Sequence, residues 1–211
     1  MVYGIFRKYS NGRRKRKRNS RCTDSSSQIE PTMHQTTLVN LDVRTRPGNR
    51  RQGWLLAGPR PIPIKVAIGR GGIKANKREG DGATPAGRYR LVRLWWRADR
   101  MPRPRTMLPV RPITTADGWC EDPSDRRYNR PIRIPACQPG ERLRRADALY
   151  DLIIEIGHNQ RPRIAGRGSA VFIHVARADM TPTAGCVSMP VATLRGLLAR
   201  LGPHTTITIH G

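Results

Sequence analysis

Residues 169–201 read SAVFIHVARADMTPTAGCVSMPVATLRGLLARL, and the two ordered segments in this stretch set the fold class. The first, SAVFIHVAR (169–177), is rich in β-branched and aromatic residues and reads as a strand. The second, PVATLRGLLARL (190–201), places Val191, Leu194, Leu197, Leu198 and Leu201 on one helical face. Pro190 suits its first turn, and Gly202-Pro203 ends it. Between the two runs a polar loop with Asp179 and Pro182, which leads through Thr183, Ala184 and Gly185 to Cys186.

Working outward, the remaining apolar segments are short and strand-like. Upstream these are TTLVNLDVRT, RQGWLLAG and IPIKVAIGR, then YRLVRLWWRA after the turn DGATPAG at 81–87. ALYDLIIEIGHN (148–159) reads as a buried strand ending near Gly157, followed by the Gly-rich turn AGRGSA. The closing TTITIHG alternates Thr with Ile, the pattern of a half-buried strand. Residues 99–136 form a long excursion over the sheet that carries GWCEDP (118–123) and the pair Tyr128-Asn129. With 20 Gly and 18 Pro the chain is punctuated too often for an all-helical bundle. No internal repeat is present.

Composition bounds the rest. The 211 residues hold 40 Lys and Arg against 15 Asp and Glu, a formal charge of +25, which excludes an acidic or neutral surface. The first thirty residues contain nine basic residues, including RRKRKR at 13–18, and then a Ser-rich stretch. Residues 1–36 read as a disordered basic arm, and Met33 is an alternative start. Residues 37–211 form one globular domain, itself strongly basic, so an anionic partner or polymer fits it. No run approaches the 18 or so apolar residues of a membrane-spanning helix. No apolar run follows the basic patch to make an export signal. The four cysteines, Cys22, Cys120, Cys137 and Cys186, include no CxxC pair, which disfavours a zinc ribbon. Cys120 and Cys137 pair only if the domain is exported, and free thiols are the alternative.

The loop at 176–186 carries the chemistry. A hairpin centred on Met180 sets His174 opposite Cys186, with Cβ atoms about 4.5–5.5 Å apart. A slip of one residue puts them on opposite faces. The thiolate is the nucleophilic form, and an unperturbed thiol with a pKa of about 8.5 needs a base beside it. The positive end of a helix opening at Pro190 adds to that activation. Gly185 admits close backbone approach, and the N–H groups of Gly185 and Cys186 suit an oxyanion. The alternative is a buried apolar Cys and a satisfied core His. His158 is a second base or a turn residue. Arg177 holds a carboxylate or is simply solvated, and Trp119, Tyr128 and Asn129 contact a ligand or pack the excursion.

HVARADMTPTAGCVSM (174–189) resembles the active-site motif of the L,D-transpeptidase catalytic domain (YkuD-like) family. IGRGGIKANKREGDGATPAGRYRL (68–91) is similar to that family's upstream signature, ending here in Thr84, Pro85, Ala86 and Gly87. The likeness spans residues 38–211. It implies a β-sandwich of mixed sheets with a few short helices, Cys186 as acyl-accepting nucleophile, His174 as base, and Thr183 and Gly185 at the oxyanion site. Ala184 and Ser188 stand where the family commonly has His and Arg or Asn, and the twelve-residue His-to-Cys interval is short, as in a short-loop proteobacterial subgroup. Ser188, Arg177 and His158 are thus the substrate-binding candidates. The resemblance implies peptidoglycan stem peptides as partners, cleaved between diaminopimelate and D-alanine. An acyl-enzyme follows, with transfer to an amine or to water and no metal or organic cofactor. It places the protein in the cell envelope or periplasm, the cytoplasm remaining open for want of a visible export signal. Two alternatives stand beside it: a basic nucleic-acid-binding protein, and a cysteine hydrolase of another peptide.

Overall fold

Alternation of apolar and polar side chains with a period of two organises the domain. The computed structural model describes residues 36–134 and 140–211, so the expected basic arm lies, except for its last residue, outside the described residues. In chain order the first strands are β1 (Asn40–Arg46), β2 (Asn49–Ala57), β3 (Ile64–Ala67), β4 (Ile73–Lys74), β5 (Thr84–Pro85), β6 (Gly87–Trp96) and β7 (Val110–Pro112). They are followed by β8 (Asp117–Cys120), β9 (Pro131–Arg133), β10 (Gly140–Arg142), β11 (Leu152–Ile156), β12 (Phe172–Val175) and β13 (Val187–Met189). The helix α1 (Val191–Leu198) and the strand β14 (Thr206–Ile209) complete the chain.

Nine strands make one mixed sheet in the order β11-β12-β13-β3-β2-β1-β14-β6-β7. Pairs β1–β14, β12–β13 and β6–β7 are parallel and the rest antiparallel. The ten-residue β6 turns this sheet back on itself. Its first part, Gly87–Arg90, pairs with β14, while Leu91 and Leu94–Trp96 pair with β11. The fold class is therefore the expected one, mainly β with mixed sheets, with a single α-helix among the described residues.

The two faces of the central strands enclose different clusters. Leu152, Ile154 and Ile156 of β11, Ile173 and Val175 of β12, and Val187 and Met189 of β13 enter the main core, together with Leu41, Val43, Ile207 and Ile209. Leu194, Leu197, Leu198 and Leu201 cover this core from α1 and the turn beyond it. Intervening residues Ile153, Phe172 and Cys186 face a second cluster with Trp95, Trp119, Leu143 and Tyr150. The excursion roofs that face as expected: β8 lies between β10 and β9 in a small antiparallel sheet, and the Trp119 and Phe172 rings meet edge to face at 5.1 Å.

Two expectations are corrected. Val191, expected on the buried helical face, is 41% exposed because α1 begins there and its first turn projects beyond the core. The helix also stops at Leu198 rather than Leu201. Tighter bonds, Arg200 N–H to Leu197 O and Leu201 N–H to Leu198 O, carry the chain onward and keep Leu201 buried. Cys120 is disulfide-bonded. Cys137, the partner considered above, lies outside the described residues.

Because Ile154 is fully buried in a strand paired on both edges, Ile154→Ala should cost about 2–5 kcal/mol, with an unchanged denaturant m-value. Ile62→Ala, at a side chain 85% exposed, should stay within about 0.5 kcal/mol in the same urea titration.

Candidate active site

His174 and Cys186 reach one face by a route different from the expected hairpin. Strands β12 and β13 run parallel, with Ile173 opposite Val187, His174 opposite Ser188 and Val175 opposite Met189. The connection does not fold straight back, because backbone hydrogen bonds tie it to the end of β3. Thr183 N–H donates to Ile68 O, and Arg70 N–H donates to Thr183 O, both at 2.9 Å. The chain thus re-enters the sheet between β12 and β3, pointing the same way as β12. Cys186 lies one step of the pleat's repeat before Ser188, so His174, Ser188 and Cys186 share a face, displaced along the pair by two residues.

Glycine is required twice in this arrangement. A Cβ on Gly69 would lie 2.3 Å from Gly82 O, and one on Gly185, whose φ is 148°, would lie 2.9 Å from Ala83 O. Thr84 Oγ1 accepts the Gly69 N–H at 2.8 Å. The two separated sequence motifs therefore interlock: the Gly-rich turn and the Thr84-Pro85 segment form the bed on which the Thr183–Cys186 turn rests. Thr183 closes that turn. Its hydroxyl donates to Cys186 O at 2.6 Å and accepts the Gly185 N–H at 3.1 Å. This corrects the expected oxyanion pair, since the Gly185 N–H is already engaged and Cys186 N–H remains.

The thiol and the imidazole are both buried, at 8% and 7% exposure. Cys186 Sγ–H donates to Ala170 O at 3.3 Å, and Sγ accepts the Phe172 N–H at 3.4 Å. His174 Nδ1 is 2.8 Å from Val175 O. A carbonyl only accepts, so Nδ1 carries the proton and Nε2 is the free base. The Tyr150 ring meets the imidazole edge-on at 5.4 Å, and the Tyr150 hydroxyl donates to Glu141 at 2.6 Å. Burial pulls the His174 pKa down to about 4. Burial, with the carboxylates of Glu141 and Glu121, pushes the Cys186 thiol up to about 12. The expected thiolate activation by the helix start and the imidazole is outweighed here: the resting site holds a neutral thiol beside a neutral base.

Both groups open on a cavity of about 350 Å³. Thr183, Gly185, Ser188 and Arg177 line it too, Arg177 exposed and without an ion pair among the described residues. His158 does not. Its Nε2 is 2.9 Å from Arg167 O and its ring meets Tyr89 at 5.4 Å, so it anchors the 166–168 turn instead. The cavity also takes in Glu79, Glu121, Glu141, Lys77, Arg145, Tyr150 and Ser169, which sequence reasoning did not single out. Glu121 belongs to the quoted GWCEDP, yet a single acidic residue in a loop gave no signal of its own.

Of the residues left undecided by sequence, Asn129 has a structural use. It is buried with φ 53°, and its side-chain oxygen accepts the Trp119 indole N–H at 3.0 Å and the Ala170 N–H at 3.2 Å. Its amide group donates to His158 O and Asn159 O. Ala170, itself at φ 51°, presents the carbonyl that holds the thiol. Tyr128 acts alongside: its hydroxyl donates to Glu79 at 2.5 Å and accepts the Gly168 N–H at 3.0 Å. Removing four hydrogen bonds at about 1 kcal/mol each, Asn129→Ala should cost roughly 3 kcal/mol or more by urea denaturation. A loss below about 0.5 kcal/mol would show that Asn129 does not hold this loop.

The comparisons with known proteins bear on the same residues. The family model for the L,D-transpeptidase catalytic domain matches residues 38–209, a span that includes both interlocking motifs and every residue of the cavity. No curated protein and no solved structure matches the chain. With nearly the whole described domain inside that match, the chain belongs to the L,D-transpeptidase catalytic domain (YkuD) family.

Proposed function

We propose that this protein is a peptidoglycan L,D-transpeptidase acting in the cell envelope, with Cys186 as nucleophile and His174 as base. The reading is carried by one observation: the Cys186 thiol and the His174 Nε2, the latter without a hydrogen-bond partner among the described residues, lie on one strand-pair face and open together on one cavity. The catalytic unit is residues 37–211, with 1–36 as an appendage.

Because burial disfavours both charged forms, the proton moves as the new bond forms. Sγ bonds to the carbonyl carbon between diaminopimelate and D-alanine while its proton passes to His174 Nε2. The Cys186 N–H is the donor for the oxygen that becomes negative. The carbon–nitrogen bond then breaks, His174 returns the proton to the departing D-alanine amine, and a thioester remains. An amine of a second stem peptide attacks that thioester, giving its proton to His174, and the thiol is restored. Water in place of the amine gives carboxypeptidase action. Arg70 and Arg177, both at the cavity without ion pairs among the described residues, suit the substrate's carboxylates. Ser188, Thr183 and Gly185 shape the binding surface.

Incubation with a carbapenem should add one adduct to the wild-type protein and none to Cys186→Ala by intact mass. Stem tetrapeptides should release D-alanine and yield a cross-linked dimer only with wild type. If folded wild type neither takes the adduct nor releases D-alanine, the assignment falls, and a salt-dependent nucleic-acid titration tests the remaining basic-protein reading.

The pH profile should also be distinctive. A His with a lowered pKa stays neutral, and so competent as a base, until pH falls to about 4. The acid limb of kcat/KM should lie near pH 4 instead of the roughly 6.5 of an unperturbed His. An acid limb at 6 to 7 in wild type would contradict a buried neutral base.

A further inference from the structure

The carboxylates around the thiol need an explanation, because they oppose the chemistry just described. The chain carries a formal charge of +25, yet its cavity gathers Glu79, Glu121 and Glu141 next to the nucleophile. Negative charge beside a thiol makes the thiolate harder to form, and Glu141 and Glu121 both push Cys186 in that direction. Such a placement is useful where something positive must bind.

Two of the three are already committed. Glu79 accepts hydrogen bonds from the Tyr128 and Ser169 hydroxyls. Glu141 accepts the Tyr150 hydroxyl and lies 3.6 Å from Arg145, which is itself paired with Asp147. Glu121 has neither a hydrogen bond nor an ion pair with any described residue. The small sheet sets its direction. Glu141 of β10 is opposite Trp119 of β8, and Glu121 lies two residues beyond Trp119, so both carboxylates are on one face of the β8–β10 pair. A third acceptor comes from the other wall. Ser188 is 1% exposed, its hydroxyl has no hydrogen-bond partner among the described residues, and it lines the same cavity.

We propose that Glu121, Glu141 and Ser188 form a receiving site for a primary ammonium group beside Cys186. An R–NH3+ group has three donors and no acceptor, which matches two carboxylates and a hydroxyl. No group of described residues is suited to a metal ion, and an organic cation fits a cleft that already holds the acyl-accepting sulfur. The charges are divided accordingly. Lys77, the buried cation of the cavity, is taken up by Asp81 and Arg78 O, both at 2.6 Å. Arg70 and Arg177, on the segments that flank the Thr183 loop, remain for carboxylates. The ammonium site as such needs no particular reaction. Its identification with the acceptor amine of the second half-reaction rests on the proposed function, and there it decides between cross-linking and hydrolysis.

Calorimetric titration of the full-length protein with cadaverine, a diamine lacking any carboxylate, tests the site directly. Wild type should bind saturably, Glu121→Gln at least tenfold more weakly, and Ser188→Ala at least threefold more weakly. Gln keeps the size and shape of Glu, and circular dichroism and a thermal melt confirm that each variant is folded. In the reaction itself, Glu121→Gln should lower the ratio of cross-linked to hydrolysed product at least tenfold without lowering D-alanine release. Absence of cadaverine binding to wild type, or equal affinity in Glu121→Gln, overturns the proposal. Cadaverine binding lost in Glu121→Gln, together with a wild-type thiol that stem peptides never acylate, upholds the ammonium site and removes the transpeptidase reading.

Discussion

The parallel pairing of β12 with β13 is the constraint on which the site depends. Each strand alternates between a face that must be dry and a face that must be accessible, and the pairing register brings the two alternations into phase. Ile173, Val175, Val187 and Met189 fill the main core, while Phe172, His174, Cys186 and Ser188 fall on the opposite face. A slip by one residue would bury His174 and Ser188 among aliphatic side chains and turn four core residues outward. Burial therefore enforces the register, and the register brings His174 onto the same face as Cys186. The same hydrophobic force that stabilises the sheet sets His174 and Cys186 on one face, so no separate device is needed to bring the strands together.

The second face is closed by polar bonding as well as by its apolar cluster. Asn129 ties the excursion to the 158–170 segment through both ends of its side-chain amide, and Tyr128 with Glu79 and Ser169 secures the neighbouring turn. These bonds hold Ala170 at a positive φ with its carbonyl on the thiol. A backbone conformation of this kind costs on the order of 1 kcal/mol or more and persists because its surroundings over-determine it. Ala170 O accepts the thiol proton's hydrogen bond in the resting state, and with Phe172 N–H it fixes Sγ from two directions. The Cys186 thiol is thereby held in one orientation.

Much of the fold was legible in local pattern. The Thr–Ile alternation of β14, the β-branched run of β12, the buried run of β11 and the Leu spacing of α1 all record which face meets the core, and burial is the quantity that periodicity reports. Strand direction is not recorded that way. The hairpin reading failed because the course of residues 176–186 is decided by backbone bonds to Ile68 and Arg70, more than one hundred positions away in the chain. Cys186 and His174 could be singled out because their residue types are informative in a strand–loop setting. Glu121, Glu141 and Tyr150 could not: a Glu in a Pro- and Arg-rich excursion has the appearance of solvated surface until the small β8–β10 sheet turns it inward. Gly185 was marked for close approach to a substrate, whereas the close neighbour the structure shows is Ala83 O, and the loss of its N–H to Thr183 depended on a rotamer no pattern encodes.

A site that buries an uncharged thiol and imidazole beside carboxylates gives up thiolate reactivity at rest. In the proposed mechanism, the nucleophile is formed chiefly when a substrate carbonyl is present to take up the sulfur's electron pair, and the buried neutral base then receives a proton it cannot readily obtain from solvent. The field of Glu141 and Glu121 is harmful to a free thiolate, while the charged groups that act on His174 are Arg145, Asp147 and Arg177. A cationic acceptor docked on Glu121 and Glu141 would change the balance at the next step: it offsets that field as the thioester is resolved, which eases the departure of sulfur as the leaving group. In the proposed mechanism the carboxylates therefore oppose the sulfur least when a cationic acceptor is docked on them.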